Sequence, residues 1–309
     1  MYKILYKIYI NCLERDLTSL WQKVYCYLFF YFCNTLYTYY LKYSKKRSFE
    51  MNEEDPRVIV SLTSYPRRIS TIWITIETLF RQTVKPDMII LWLAEEQFPD
   101  KKIPARLENL ERRGLTIRWC DDIMSHKKYF YVMQEYSEAN IITADDDSFY
   151  PPFFIERLIN LHKRFPDDVV CLTAQSMGSN YQCPPSLWPG VSKEEITSSY
   201  KLSLNSGSGV LFPPKSISHK AFNKEAIQRI CPYADDLWLT VMAHITGTKI
   251  TKYKYQPFPV IIKDTMSESL CNTYNSPQSR SEINNDRQWA NMMEEYSSDI
   301  KAVVGRYFN

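Results

Sequence analysis

Apolar and polar positions alternate in blocks through residues 58–175. Val58-Ile-Val-Ser-Leu-Thr63 is a short apolar run, the pattern of a buried strand. Ile69 to Gln82 carries apolar residues at helical spacing (Ile69, Trp73, Ile76, Leu79, Phe80). Met88 to Leu93 (MIILWL) predicts a second strand, Ile103 to Arg113 a helix stopped by Gly114 at C′, and Leu115 to Trp119 a third strand. Lys127 to Glu138 reads as helical. Asn140 to Ala144 is a fourth strand that runs directly into Asp145-Asp146-Asp147. Pro151 and Pro152 open a helix through Lys163, where Pro suits the first turn, and Val169 to Ala174 is a fifth strand. Strands alternating with helices predict an α/β domain with a mostly parallel sheet.

Past residue 175 the periodicity loosens. Residues 176–200 are polar and hold Gly178, Pro184, Pro185, Pro189 and Gly190, a loop long enough to be functional. Ser206-Gly-Ser-Gly-Val-Leu-Phe212 reads as a glycine-led strand, Asp236 to Ile245 as a helix, residues 263–281 as irregular, and Glu282 to Arg306 as a helix. Residues 51–57 (MNEEDPR) form a polar break. The expected organisation is an arm (1–50), a linker (51–57) and a body (58–309), the body divided into a nucleotide-binding half (58–175) and an acceptor or catalytic half (176–309).

Composition matters most for the arm. The chain has 309 residues, 45% of them hydrophobic and 24% charged, which is ample for a buried core. Of its 45 aromatic residues, 15 lie in residues 1–50, where 8 Lys/Arg face 3 Asp/Glu. The other 259 residues hold 30 Lys/Arg and 32 Asp/Glu, so the body is slightly acidic and lacks the basic excess of a nucleic-acid binder. Val24 to Leu41 is 18 residues without a charge, rich in Tyr and flanked by Lys and Arg. Three readings follow: an interfacial anchor on an anionic leaflet, a single span, or a helix pair packed on the body. The eight Cys form no CxxC pair, and no His lies at zinc-ligand spacing, so free thiols in a reducing compartment are expected.

The candidate chemistry is acidic. Asp145, Asp146 and Asp147 repel one another at the carboxyl end of a predicted strand, the edge at which open α/β sheets bind ligands. A hard divalent cation would offset that charge. In extended geometry Asp145 and Asp147 would share a side and converge. The alternative is an Asx turn ahead of Pro151. Asp235-Asp236 precedes a helix, where a capping role competes with general-base chemistry. Ser61 to Arg68 (SLTSYPRR) offers hydroxyls, an aromatic face and two guanidiniums to a nucleotide, against the alternative of an ordinary turn. Asp121, Asp122, Lys127 and Lys128 belong to the same edge. Neither a Walker loop nor GxGxxG is present.

Taken in order, VIVSLTSYPRRI, MIILWL with QFP, LTIRWCDD with HKK, IITADDDSFYPP, SGSGVLFPP and ADDLWL resemble bacterial glycosyltransferases of the GT-A fold linked to lipopolysaccharide and capsule assembly. The resemblance covers about residues 57–290. It implies a DxD site in which Asp147 and Asp145 bind a divalent metal, Mn2+ or Mg2+, with Asp145 and Asp146 toward the nucleotide-sugar. It further implies a donor pocket from Thr63, Ser64, Tyr65, Arg67, Arg68, Asp122, Lys127 and Lys128, and a sugar-lining strand with Gly207 and Gly209. Asp236, beside Asp235, would be the base of an inverting transfer; the Asp-Asp pair stands where Glu-Asp is common. The donor would be a nucleoside-diphosphate sugar, the acceptor a glycan or glycolipid, and the place the cytoplasmic face of the inner membrane, peripheral or single-span. A metal-dependent phosphoesterase and a non-catalytic membrane-tethered binding protein are the alternatives.

Overall fold

The structure is a computed structural model of the chain and describes residues 2–14, 19–44, 57–178, 180–191, 195–254, 259–268, 275 and 283–308. Two helices begin it, α1 (Tyr2–Glu14) and α2 (Leu20–Phe32), the second opened by a capping box between Ser19 and Gln22. A π turn (Cys33–Tyr37) joins α2 to α3 (Thr38–Tyr43). The turn has a reason in the sequence. Phe29, Cys33, Tyr37 and Leu41 are all buried, and their four-residue spacing overshoots an α-helical turn by about 40° each time. The wider π turn takes up that drift and keeps the stripe on one face.

That stripe packs on the body. Tyr2, Tyr6, Phe29, Tyr37 and Leu41 share one hydrophobic cluster with Val60, Leu62, Ile76 and Phe149. Tyr2 stacks on Tyr37 at 4.2 Å, and Tyr6 meets Phe153 edge-on at 5.6 Å. Asn34 donates to the carbonyl of Ile261 (3.2 Å) and accepts from the amide of Lys263 (2.8 Å). The packed-pair reading therefore describes the inner face of the arm. Among the described residues no helix is long and apolar enough to cross a membrane. Residues 51–56 of the linker, and Arg15, Lys45, Lys46 and Arg47, lie outside the described residues.

The first body strand, β1 (Val58–Thr63), is buried along its centre, and β2 (Met88–Ala94) along its whole length. Strands covered on both faces are those of a parallel sheet. β3 (Thr116–Cys120) and β4 (Asn140–Thr143) extend it. Short strands follow: β5 (Ser148–Phe149), β6 (Val169–Cys171), β7 (Ala174–Ser176), β8 (Thr197–Ser199), β9 (Leu202–Leu204), β10 (Val210–Phe212), β11 (Ile250–Lys252) and β12 (Val260–Ile261). The main sheet runs β3-β2-β1-β4-β10-β6-β11-β8, with β10 and β8 antiparallel to their neighbours and the other six strands in one direction. β12-β5 and β7-β9 form two small sheets. The flanking helices are α4 (Trp73–Leu79), α5 (Ala105–Glu111), α6 (Lys127–Phe130), α7 (Val132–Glu135), α8 (Phe154–Arg164), α9 (Lys224–Ile230), α10 (Asp235–Thr246) and α11 (Asn285–Val304). The chain is an α/β protein with a mostly parallel sheet, as its pattern predicts.

Several predicted elements are corrected. The helix expected from Ile69 begins at Trp73, after hydrogen-bonded turns at Arg68–Ile72. The single helix expected over 127–138 breaks at Tyr131 into α6 and α7. The glycine-led strand is a 3-10 turn (Ser206–Ser208) followed by β10, and Gly209 between them has φ +102°. Gly114 does end the α5 region with φ +106°.

Candidate functional site

The strand order changes direction between β1 and β4. β2 and β3 lie on one side of β1, and β4 and later strands on the other. At such a switch point the loops leaving the two strands diverge and leave a crevice. Pairing of Val210 with Thr143 brings the start of β10 to the same edge. The loop after β1, the acidic loop after β4, the turn before β10 and the first turn of α10 all meet there.

Asp145, Asp146 and Asp147 are not arranged as an extended strand would place them. The backbone turns at Asp146 and Asp147. Asp146 and Asp147 share one guanidinium: Arg68 Nη1 lies 2.8 Å from Asp146 Oδ1 and 2.9 Å from Asp147 Oδ2. Ser64 Oγ donates to the second oxygen of Asp146 at 2.6 Å. Asp145 points elsewhere, to Lys128 Nζ at 2.8 Å. The expected convergence of Asp145 and Asp147 is thus replaced by two ion pairs, because the turn separates the side chains.

Lys128 is the centre of the second group. Its buried ammonium contacts Asp145, Asp235 Oδ2 (2.9 Å) and Ser206 Oγ (2.8 Å). Ser206 also donates its amide to Asp236 Oδ1 at 2.9 Å. Asp235 and Asp236 occupy the first turn of α10, but the N-cap is Ala234, with no side-chain cap, so neither acid serves as the cap. Burial alone would raise the Asp235 carboxyl; Lys128 and His126 hold it below the usual range. Asp236 is half-buried and moves the other way, up to about 7, through burial and the charge of Asp235. The Asp147 carboxyl is also pushed up to about 7, by burial and by Asp146 and Asp145.

The remaining predicted donor residues are placed as follows. Thr63 Oγ1 donates to the Trp92 carbonyl (2.9 Å). Tyr65 is half-buried beneath the Arg68 guanidinium, 5.6 Å from the ring centre, and Arg67 is exposed. Asp122 is ion-paired with the buried Lys127, hydrogen-bonded to Gln97, and accepts the Met124 amide at 2.9 Å. Both lysines therefore neutralise carboxylates, rather than standing open to a diphosphate. Gly207 donates its amide to Asn205 Oδ1. At Gly209 a Cβ would lie 2.1 Å from the Phe154 ring, so packing against α8 and its positive φ demand glycine. Sequence reasoning missed three supporting residues. Thr75 bonds the Asp146 and Ser148 carbonyls, the Tyr150 hydroxyl accepts the Asp145 amide at 2.7 Å, and Thr265 offers its carbonyl to Arg68 at 3.3 Å. Thr75 and Thr265 lie far from the acidic loop in sequence, and no pattern marks them. Two surface cavities of about 330 and 260 Å³ share His219 and Phe222, and neither is lined by these carboxylates.

Among the described residues, five carboxylates here meet two cations, Arg68 and Lys128. Hard oxygen donors with surplus negative charge suit a divalent cation that takes one or two carboxylates and completes its shell with phosphate and water. Among the described residues no three His, Cys, Asp or Glu side chains are grouped to hold a metal by themselves.

No family model and no curated protein matches the chain. Among solved structures it is similar to residues 1–349 of TarS from S. aureus, at 10% identity and TM-score 0.42, over 65% of this chain and 59% of that one. It is similar to CMP:2-keto-3-deoxy-manno-octonic acid synthetase complexed with CTP, at 10% identity and TM-score 0.41, over 65% and 91%. It is also similar to the mannosyltransferase PcManGT from Pyrobaculum calidifontis in complex with GDP-Man and Mn2+, at 12% identity and TM-score 0.36, over 83% and 67%. Likeness this distant assigns neither residues nor a reaction to this chain.

Proposed function

We propose that the protein is a GT-A-type glycosyltransferase that moves a sugar from a nucleoside-diphosphate sugar to an acceptor hydroxyl, with inversion. One observation carries this reading. Two acidic clusters about 90 residues apart in sequence, Asp145–Asp147 and Asp235–Asp236, meet through Lys128 at the switch point of a parallel sheet. The phosphoesterase alternative needs the clusters to share metal ions; in this geometry they share an ammonium.

Each cluster has its own part. Asp147 would hold the divalent cation, which would supply positive charge for the departing diphosphate. The loop Thr63–Arg68, with Tyr65 as an aromatic face, lies beside the acidic loop and suits the nucleoside. Asp236 takes the proton of the acceptor hydroxyl. The hydroxyl oxygen forms a bond to the anomeric carbon as the bond from that carbon to the diphosphate oxygen breaks, and the electron pair leaves with the nucleoside diphosphate. A carboxylate pushed up to about 7 is matched to this task, since a base works best near the ambient pH. Asp235, held ionised by Lys128, keeps Asp236 at that value and so acts as a positioning residue. Asp236→Asn should leave donor binding intact and lower transfer by about a hundred- to ten-thousand-fold. Unchanged transfer removes Asp236 as the base.

A further inference from the structure

The hairpin of α1, α2 and α3 has an outer face that the body does not cover. Of the seventeen large apolar side chains exposed among the described residues, twelve lie in residues 2–44. Trp21 is 81% exposed, Leu20 75%, Leu36 66%, Tyr39 64% and Leu28 58%. Scattered apolar residues on a surface need no explanation, but a concentration on one element does. A helix facing water would place charge there of both signs.

Among the described side chains of the hairpin the charge has one sign. Lys3, Lys7, Lys23 and Lys42 are exposed between the apolar side chains, and residues 2–12 and 19–44 contain no Asp or Glu. Lysine is depleted in the cores of protein interfaces, which weighs against a second protein as occupant. Lys interleaved with Trp, Tyr and Leu is the composition of a helix lying in the headgroup region, rings buried, hydroxyls and ammoniums among phosphates. From Leu20 to Tyr43 the helix is continuous through its π turn, about 36 Å long, a length that can lie flat on a bilayer.

We propose that the outer face of this hairpin docks the protein flat on an anionic lipid bilayer. The platform is fixed to the acidic crevice rather than tethered. Asn34 in the π turn bonds Ile261 and Lys263, the Ile262 amide donates to the Asp147 carbonyl at 2.7 Å, and Thr265 accepts from Arg68. The docking plane is thereby held in a set orientation to the carboxylates. This inference stands whatever reaction the site performs.

The test uses the full chain and extruded vesicles of phosphatidylcholine, with or without about 30% phosphatidylglycerol. Sedimentation should show at least tenfold tighter binding to the anionic vesicles, lost at high salt. The variant L20S/W21S/L28S/L36S should bind both vesicle types at least tenfold more weakly. The variant K3Q/K7Q/K23Q/K42Q should lose only the anionic preference. All substituted positions are exposed, so melting temperatures should stay unchanged. Should a variant fold poorly, a gentler reading remains: lipids brominated on their acyl chains should quench the native protein, and Trp21→Phe should remove most of that quenching. Absence of binding to anionic vesicles, or binding unaltered by these substitutions, overturns the proposal. So does a dimer that the Leu/Trp variant converts to monomer while vesicle binding persists, since the face would then belong to a second copy.

Discussion

Replacing Lys128 by Met removes the ammonium on which both acidic clusters converge while keeping most of the side chain's volume. Lys128 Nζ lies 2.8 Å from Asp145 and 2.9 Å from Asp235, and its side chain is only 4% exposed. At an effective dielectric of about 20, one such pair has a gross Coulomb energy of about 6 kcal/mol. Desolvation offsets most of it, and the measurable loss is the penalty of a buried carboxylate left alone, about 3–5 kcal/mol. For a chain of 309 residues, with an unfolding entropy of about 2.1 cal/mol/K per residue, about 4 kcal/mol corresponds to a drop of about 6 °C in Tm. The pH dependence gives the argument a second edge. In the native protein Asp235 is held below the usual carboxylate range, so its contribution is present above the unfolded pKa and is lost as pH falls through the depressed folded value. Without Lys128, burial raises Asp235, and the carboxylate escapes its penalty by taking a proton in acid. Urea denaturation followed by circular dichroism should therefore show a loss of about 4 kcal/mol at pH 8 and a smaller one at pH 5. A loss below about 1 kcal/mol at pH 8, the range of an exposed pair, would refute the reasoning; so would equal losses at both pH values.

Other predictions follow from the same geometry. Asp236, raised to about 7, must be ionised to act as base, so kcat/KM should climb about tenfold per pH unit below that value and level above it; a profile flat from pH 5 to 8 would remove this role. Gly209→Ala should cost about 3 kcal/mol in urea denaturation, since its Cβ would strike the Phe154 ring at 2.1 Å from a backbone with φ +102°; a loss under about 1 kcal/mol would show that the turn yields easily.

What was legible in the sequence follows from length and periodicity. β1, β2 and β4 stand out because each is an apolar run covered on both faces. β6 to β11 are three residues each, too short for any period, and they pair across long separations such as Ile250 with Val169. The break between α6 and α7 is equally invisible, because Tyr131 keeps the helical spacing on both sides. The acidic clusters announced themselves, but their counter-charges did not. Arg68 is 78 residues from Asp146, and Lys128 is 107 residues from Asp235, so the pairs exist only through the sheet order. The arm was half legible. Its aromatic and basic excess marked it as exceptional, yet the alternation that sends Phe29, Cys33, Tyr37 and Leu41 inward depends on a π turn that α-helical periodicity does not predict.

The central claim is that the acidic loop binds a nucleoside diphosphate together with a divalent cation. Thermal unfolding of the native protein should be followed with each nucleoside diphosphate, with and without manganese. The account predicts a rise in Tm for one base in the presence of manganese, about 4 °C at a ligand concentration of about 100 Kd, and no rise in Asp147→Ala. A protein whose Tm answers to no nucleoside diphosphate with manganese, or a shift that survives in Asp147→Ala, would contradict it.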